Sequence, residues 1–200
     1  MTAHKDLQTL EIREKILEAA RQRFCLYGYN KTTMAEIAKD CDMSAANLYR
    51  FFENKLDIAA TLSGSCIADK ESTLNETTAD ASQPASTRLR DYIFETLHQT
   101  YKQSAETPRL NEMINAVCES RMDLVEQHMD NKMQILTRLI MAGNETGEFS
   151  VTDTQQTADA ILTATTLFEM PILTPLFSLE KLEKKAEHLT ELILNGIKKR

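Results

Sequence analysis

The 200-residue sequence contains no tryptophan and few residues that suit β-structure: it has only 5 glycines and 4 prolines, and aromatic residues make up 6% of it. A β-sandwich or barrel needs many tight turns and strands rich in aromatic and β-branched residues, so this scarcity disfavours an all-β fold. The abundant alanine, leucine, glutamate and lysine are strong helix formers. We therefore predict an all-α protein of about nine helices.

The sequence also lacks a disulfide framework, a signal peptide and a long apolar run. Four cysteines, Cys25, Cys41, Cys66 and Cys118, are scattered without CxxC spacing, which favours buried thiols in a reducing compartment. The N-terminus mixes charges with leucines, and no segment approaches the length of a transmembrane helix. We expect a cytoplasmic protein.

Motifs for catalysis and metal binding are missing too: there is no HExxH, no glycine-rich phosphate loop and no nucleophile elbow. Glu95 and His98 have the E-x-x-H spacing of di-iron carboxylate bundles, but such a site needs a second motif. Neither His128 nor His188 has a glutamate three residues before it. We predict no enzyme activity, no cofactor and no metal, and interpret His98 as a solvated or pocket-edge residue.

Charge is distributed unevenly along the chain, whose net charge is −7. Residues 1–62 contain 9 Lys+Arg and 9 Asp+Glu, and subtraction from the totals of 23 and 30 leaves 14 and 21 for residues 63–200. Nucleic-acid binding depends on local rather than total charge. A neutral N-terminal part with clustered cations is therefore compatible with binding to a polyanion.

The N-terminal part has the pattern of three helices. Apolar residues recur at spacing four from Ile12 to Phe24 and predict a first helix from about Leu7 to Tyr27. Thr33 and Glu36 form a capping box for a second helix. The break after it, at Asp42, favours a left-handed backbone, and Ser44 caps a short third helix.

A helix, a tight turn and a second short helix form the arrangement in which the second helix enters the major groove of DNA. Leu48 and Phe52 point inward, so neighbouring polar side chains face outward. Asn47 and Arg50 can read base edges, and Thr33, Tyr49 and Lys55 suit phosphate oxygens. The candidate DNA-binding residues are Thr33, Ser44, Ala45, Ala46, Asn47, Tyr49, Arg50 and Lys55.

Further helices follow. A fourth helix starts at Asn54 and is expected to fray after about Ala68, before Pro84 opens the next helix. Thr107 is expected to cap a long helical region that reaches about Ala142, and Thr152 with Gln155 to cap another that ends near Met170. The last helix runs from Leu179 almost to the end of the chain.

The last two helices carry heptad-like apolar seams. Two adjacent seams facing a twofold copy would form an intermolecular four-helix bundle, in which a glycine allows close approach. An internal core explains the same pattern and stays open. The candidate dimer residues are Ile161, Phe168, Leu182, Leu189, Ile193 and Gly196.

Methionines are concentrated between Met113 and Met141. Methionine adapts to irregular apolar shapes and is common at tolerant binding surfaces, which points to a pocket for an apolar or aromatic small molecule. Plain helical core is the alternative for each residue. The candidate ligand-binding residues are Tyr92, Thr96, Tyr101, Met113, Cys118, Met122, Met133 and Phe168.

The stretch TTMAEIAKDCDMSAANLYRFFENKLDIAATL resembles the DNA-binding segment of TetR-type transcriptional regulators over about residues 10–62. The family often has glycine where Asp42 and Ala46 stand. The resemblance implies a helix-turn-helix head, residues 1–62, on a helical ligand-binding and dimerisation body, residues 63–200. It further implies a homodimer, usually a repressor, that binds a palindromic DNA operator and is released by a small-molecule effector.

A different class of function is also consistent with the pattern. The head could be part of a helical scaffold that binds a protein partner through Tyr49, Phe51 and Phe52 as hydrophobic anchors.

Overall fold

The structure, a computed structural model, describes the backbone of residues 2–199 and the side chains of residues 7–105 and 107–199. Over this range the chain forms nine α-helices and one short 3-10 helix, Thr174–Leu176. The helices are α1 Thr2–Tyr27, α2 Met34–Asp40, α3 Ala45–Leu48, α4 Lys55–Ala79, α5 Ala85–Glu106, α6 Leu110–Ser120, α7 Met122–Glu145, α8 Thr154–Glu169 and α9 Leu179–Ile197. An isolated β-bridge pairs Phe149 with Lys198. The all-α prediction is confirmed.

The chain divides into two compact units. The first unit consists of the residues up to Cys66 together with Thr107–Leu124, and the second unit consists of Ile67–Glu106 and the residues from Val125 onward. Both α4 and α7 therefore begin in the first unit and end in the second. The first unit contains a second chain segment, with α6, that the sequence pattern did not assign to it.

The first unit is built around the apolar face of α1. Ile16, Ala20 and Phe24 are each 0% exposed, at the spacing of four that the sequence predicts. They pack with α2, α3, the start of α4 and the Met113 and Val117 side chains of α6. α6 thus completes the core under the helix-turn-helix.

The start and end signals of α2 and α3 are confirmed. Thr33 and Glu36 form the reciprocal capping box of α2, and the Ser44 side chain caps α3 by accepting from the Asn47 amide. Asp42 has φ 57°, the left-handed conformation that the break between the two helices requires. The tight turn of the helix-turn-helix therefore depends on Asp42, a non-glycine residue with a left-handed backbone.

The second unit is centred on α5, which packs against α8, α9 and the 3-10 helix. Leu89, Tyr92, Ile93 and Leu97 on α5 are all 0% exposed. The remaining core residues come from α4, α5, α7, α8 and α9 and from Phe149 between α7 and α8. A five-helix core of this kind can form without disulfides.

The seams of α8 and α9 lie largely inside the chain, which corrects the dimer prediction at three positions. Ile161 and Phe168 are each 2% exposed and Leu182 is 0% exposed in the isolated chain. Because these side chains have no surface left to lose, they cannot form a contact with a second copy. For them the internal-core interpretation is the correct one, since α5 already covers that face.

Several helix boundaries differ from the sequence prediction. α4 continues to Ala79, because Leu74 and Thr78 are buried in the second core and tertiary packing overrides a polar sequence. α6 starts after Arg109, without a side-chain cap from that residue. Arg121 separates α6 from α7 with φ −132°. The cap of α8 is Asp153, one residue after the predicted Thr152.

The prediction of buried thiols is correct only in part. Cys41 is buried and Cys25 is half-buried, but Cys66 and Cys118 are exposed. The two exposed thiols lie on the outer faces of α4 and α6, where an apolar stripe does not reach.

None of the helices in the part of the chain that the structure describes is long and apolar enough to cross a membrane.

Two helical glycines provide a matched test of the packing. An added Cβ at Gly143 would lie 2.1 Å from the Cδ2 atom of Phe149, whereas at Gly64 it would meet nothing within 4 Å. We expect Gly143→Ala to lower the free energy of unfolding by about 1–3 kcal/mol through overpacking. Gly64→Ala should raise it by about 0.5–1 kcal/mol because alanine is the better helix former. Urea unfolding measures both, and equal effects would contradict the packing of Phe149.

Candidate functional site

The helix-turn-helix presents a recognition helix of only four residues, α3. Its Leu48 side chain is 0% exposed and the following Phe52 is 1% exposed, so both are fixed in the first core. The backbone amide of Asn47 donates to Ser44 Oγ at 3.2 Å, which satisfies one of the free backbone amides at the start of the helix. The orientation of α3 is therefore set from both ends.

The outward side of α3 matches the sequence prediction at most positions. Ala46, Tyr49 and Arg50 are exposed and Asn47 is half-buried. Ala45 is half-buried and packs against the first core. Asn47 and Arg50 are thus the polar side chains that this surface offers to a base edge.

Three cations of α1 hold the helix-turn-helix in place. Arg13 donates from Nη1 to the Phe51 carbonyl at 2.5 Å and its guanidinium lies 4.2 Å from the centroid of the Phe52 ring. Lys15 donates from Nζ to the Cys41 carbonyl at 2.8 Å. Both carbonyls follow the ends of the short helices α2 and α3, where a carbonyl has no backbone amide of the same helix to accept from.

Arg23 forms the third of these contacts. Its Nε and Nη2 atoms donate to the two carboxylate oxygens of Asp40 at 2.5 and 2.9 Å. The hydrogen bond from Arg23 holds the pKa of Asp40 below its usual range. This bidentate pair joins α1 to the last residue of α2.

Two predicted phosphate contacts have partners within the chain instead. Lys55 Nζ donates to the Tyr29 carbonyl at 2.6 Å and to the Thr32 carbonyl at 2.9 Å, and lies 4.2 Å from the centroid of the Tyr29 ring. Desolvation lowers the pKa of Lys55. The Thr33 amide and hydroxyl both donate to Glu36 Oε2, at 2.9 and 2.8 Å. Lys55 has one N–H left for an outside acceptor.

The residues that precede α2 form a junction with α6. The backbone amide of Asn30 donates to Glu112 Oε2 at 3.0 Å. Gly28 has φ +88°, and an added Cβ there would lie 2.9 Å from the same oxygen. Glycine is required at this position both for its left-handed backbone and for the close approach of Glu112.

Two lysines that the sequence analysis did not select are free to contact phosphate. Lys31 and Lys39 are exposed beside the start and within the last turn of α2. Within the described residues neither ammonium has a hydrogen bond or ion pair to another side chain. Their positions flanking the capping box could have identified them in the sequence.

The candidate ligand residues divide between the two units. Tyr92, Thr96, Tyr101, Met133 and Phe168 belong to the second unit, where Tyr92 and Phe168 are part of the core. Met113, Cys118 and Met122 belong to the first unit. Met113 is buried in the first core, and Cys118 and Met122 are exposed. The methionine-rich stretch is therefore shared between the two units.

Sequence reasoning missed a buried lysine in the second unit. Lys132 on α7 is 2% exposed and forms an ion pair with Glu169 at the end of α8. The signal was present in the sequence, since Lys132 is four residues before the buried Leu136 and so falls in an apolar stripe.

The E-x-x-H motif has a role on the surface. His98 Nε2 lies 2.9 Å from Glu183 Oε1 of α9, and both side chains are partly exposed. Among the residues with described side chains, no group of three or more potential metal ligands is arranged around one point.

Comparison with known families and structures matches both halves of the chain. The family model described as "Bacterial regulatory proteins, tetR family" matches residues 16–62. The model described as "Tetracyclin repressor-like, C-terminal domain" matches residues 85–190. A comparison with curated protein sequences finds no match.

Solved structures share the fold. SmeT, the repressor of the multidrug efflux pump SmeDEF in Stenotrophomonas maltophilia, is 18% identical with a TM-score of 0.67 and covers 94% of this chain and 90% of its own. The fatty acid degradation regulator FadR of Bacillus halodurans is 20% identical, with a TM-score of 0.64 and coverage of 91% and 94%. A candidate TetR-family regulator from Mesorhizobium loti is 16% identical, with a TM-score of 0.75 and coverage of 96% and 98%.

Replacing Lys55 with methionine tests its structural role. We expect Lys55→Met to lower the free energy of unfolding by about 1–3 kcal/mol, because the Tyr29 and Thr32 carbonyls lose their donor. Lys31→Met, at an exposed lysine, should change it by less than about 0.5 kcal/mol. Chemical denaturation compares the two, and a similar small effect of both would show that Lys55 is not needed by the loop.

Proposed function

The chain belongs to the TetR family of bacterial regulatory proteins and is a DNA-binding transcriptional regulator, and we propose that it represses its target as a dimer on a palindromic operator. A small-molecule effector bound in the second unit would release the operator by favouring a conformation with the wrong spacing between recognition helices. We place this regulator in the cytoplasm. A role in transcription does not call for catalysis.

The observation that carries DNA recognition is the division of side chains on α3 and the four residues after it. Leu48 and Phe52 are fully buried, while Asn47, Tyr49 and Arg50 remain at the surface. Asn47 and Arg50 would read base edges. Tyr49 with Lys31 and Lys39 would contact phosphates, and Asp42, 90% exposed at its side chain, is offset by Lys15 at 3.4 Å.

Burial also argues against the protein-binding alternative. Phe52 is 1% exposed and cannot insert into a partner, and Phe51 is half-buried against the first core. Tyr49 is thus the one exposed aromatic of the three. A single aromatic side chain beside free cations suits a phosphate backbone better than an apolar protein surface.

Effector control is supported by relatives whose ligands are named. SmeT has been solved in complex with triclosan, and another structural neighbour, FrrA, is a flavonoid-responsive regulator. For this chain we propose an effector with an apolar or aromatic body, bound near Tyr92, Thr96 and Phe168.

We propose that the dimer forms through the outer faces of α8 and α9. Leu192 is 71% exposed and Gly196 is also exposed, one turn further on. Leu189 and Ile193 are half-buried and so keep some surface for a partner. An exposed leucine beside a glycine permits close helix approach, which a twofold contact of this kind needs.

The proposed roles of Asn47, Arg50 and Lys39 predict two patterns of lost DNA affinity. Asn47→Ala and Arg50→Ala should relax sequence preference, costing about 1–3 kcal/mol on the preferred site and little on other duplexes. Lys39→Ala should weaken all duplexes alike and reduce the slope of log affinity against log salt. Fluorescence anisotropy on selected and scrambled duplexes, at several salt concentrations, measures both. Lys184→Ala, an exposed lysine on α9, is the control.

Two outcomes would contradict this proposal. Affinity that is independent of salt would favour a protein partner over DNA. Uniform weakening by all three substitutions, with unchanged sequence preference, would show that Asn47 and Arg50 do not read bases.

Introducing a charge at Leu192 tests the proposed dimer surface. We expect Leu192→Glu to give monomers in light scattering, because a buried unpaired carboxylate at the contact is costly. Leu26→Glu is the matched control, since Leu26 is 60% exposed on α1 of the first unit. If Leu192→Glu stays dimeric, another surface forms the dimer.

A further inference from the structure

Two buried hydroxyl groups on α5 have no hydrogen-bond partner among the residues whose side chains the structure describes. They are Tyr92 OH and Thr96 Oγ1, and the two residues are 0% and 5% exposed. The two residues are four apart and so share one face of the helix. Buried polar groups are nearly always hydrogen-bonded, which makes two orphans on one helix face a sign of an outside partner.

A buried charge lies in the same region. Lys132 pairs with Glu169, whose side chain is 17% exposed, whereas that of Lys132 is 3% exposed. Thr165 Oγ1 lies 3.2 Å from Glu169 Oε1. Glu71 is near enough to raise the pKa of Lys132, but desolvation is stronger and lowers it. The carboxylate of Glu71 accepts from Asn131 at 2.8 Å and lies 2.6 Å from His128 Nδ1.

Glu169 connects the hydroxyl face of α5 to this lysine. Burial is the larger cause of the raised pKa of Tyr92, and the Glu169 carboxylate is the second cause. The same carboxylate forms the ion pair with Lys132. Packing agrees with this, because α5 contacts α8 and Tyr92 shares one buried core with Phe168, the residue before Glu169. The phenol of Tyr92 and the Lys132–Glu169 ion pair therefore border the same core.

We propose that this cluster binds the carboxylate of an amphipathic organic acid, which replaces Glu169 as the partner of Lys132 and accepts hydrogen bonds from Tyr92 and Thr96. The inference rests on the proposed effector control and names the chemical class of the effector. Glu169, in the last turn of α8 and partly exposed, can turn toward water when the ligand enters.

The positions of the charges favour an anion over a cation. The lysine is the deepest charged group, and it cannot reach water without leaving the core. A cationic ligand that took Glu169 would leave Lys132 buried and unpaired, beside a like charge. An anionic ligand keeps the lysine paired and adds donors from two hydroxyls that now have no acceptor.

The apolar body of the acid has suitable neighbours. Phe168 is part of the buried second core. Met133 and Tyr101 are half-buried side chains packed against the second core. Methionine repacks readily around ligands of different shape.

The test is calorimetric titration of the full-length protein, without DNA, with ligands matched in body and different in head group. The probes are decanoate, decanamide and decylamine, and benzoate, benzamide and benzylamine. At least one carboxylate should bind about tenfold or more tightly than its amide, since a charge-assisted pair is lost. The amine of the same body should bind more weakly still.

Variants separate a binding role from a structural one. Glu169→Gln should strengthen carboxylate binding, because it removes the internal competitor. Tyr92→Phe should weaken carboxylate binding by about two- to tenfold and leave the unfolding midpoint of the free protein unchanged or higher, since its hydroxyl has no partner to lose. Thr190→Val is the matched control: its hydroxyl donates to the Ala186 carbonyl at 2.7 Å, so it should lower stability without changing affinity.

A groove elsewhere in this unit serves as a control for binding outside the cluster. It has a volume of about 350 Å³ and is lined by Arg88 and Arg138. Arg138→Met should leave carboxylate affinity unchanged, whereas Lys132→Met combined with Glu169→Gln, which removes both charges, should abolish the preference for the acid.

The proposal is overturned if the amines bind as tightly as the acids, if Glu169→Gln weakens the acids, if Arg138→Met abolishes their binding, or if no probe of either series binds. Operator release is measured separately, by anisotropy with the same probes. Acids that bind with the expected head-group preference but leave the operator bound would refute effector control and keep the site.

Discussion

The recognition surface depends on the burial of Leu48 and Phe52 in the first core, because α3 is too short to be stable alone. Four helical residues are far below the length at which an isolated helix persists in water, so α3 exists only because the first core holds it. Arg13 and Lys15 of α1 bind carbonyls beside the ends of α2 and α3, and Arg23 pairs with Asp40. The same contacts leave Asn47 and Arg50 outward, which couples the stability of the head to its reading of DNA.

The second unit meets a different constraint, because it keeps charge and unpaired hydroxyls inside an apolar core. A core of leucines, isoleucines and aromatics would be more stable without Lys132, Glu169 and the orphan groups of Tyr92 and Thr96. Polar groups that lower stability in this way are expected where a protein binds a ligand rather than where it only folds. These groups lie on α5, α7 and α8 of the second unit.

Features set by neighbouring residues were predictable from the sequence. The caps at Thr33 and Ser44, the left-handed Asp42 and the inward Leu48 follow from local hydrogen bonding and helical spacing, and the structure has all of them. The errors have one cause, which is packing against distant segments. α4 continues through a polar stretch because Leu74 is buried in the second core, and α6 joins the first core although it is far away in the sequence.

By itself the sequence determined the all-α fold, the helix-turn-helix and the identity of the outward residues on α3, since these depend on spacing and capping within a few turns. Only the tertiary structure decided which seam residues are core, that Lys55 donates to the Tyr29 and Thr32 carbonyls, and that Lys132 pairs with Glu169. A heptad pattern or a lysine has the same sequence signal whether the side chains contact a partner, water or another helix of the same chain. The difference lies in which distant helix covers it, and that is decided by packing across the whole unit.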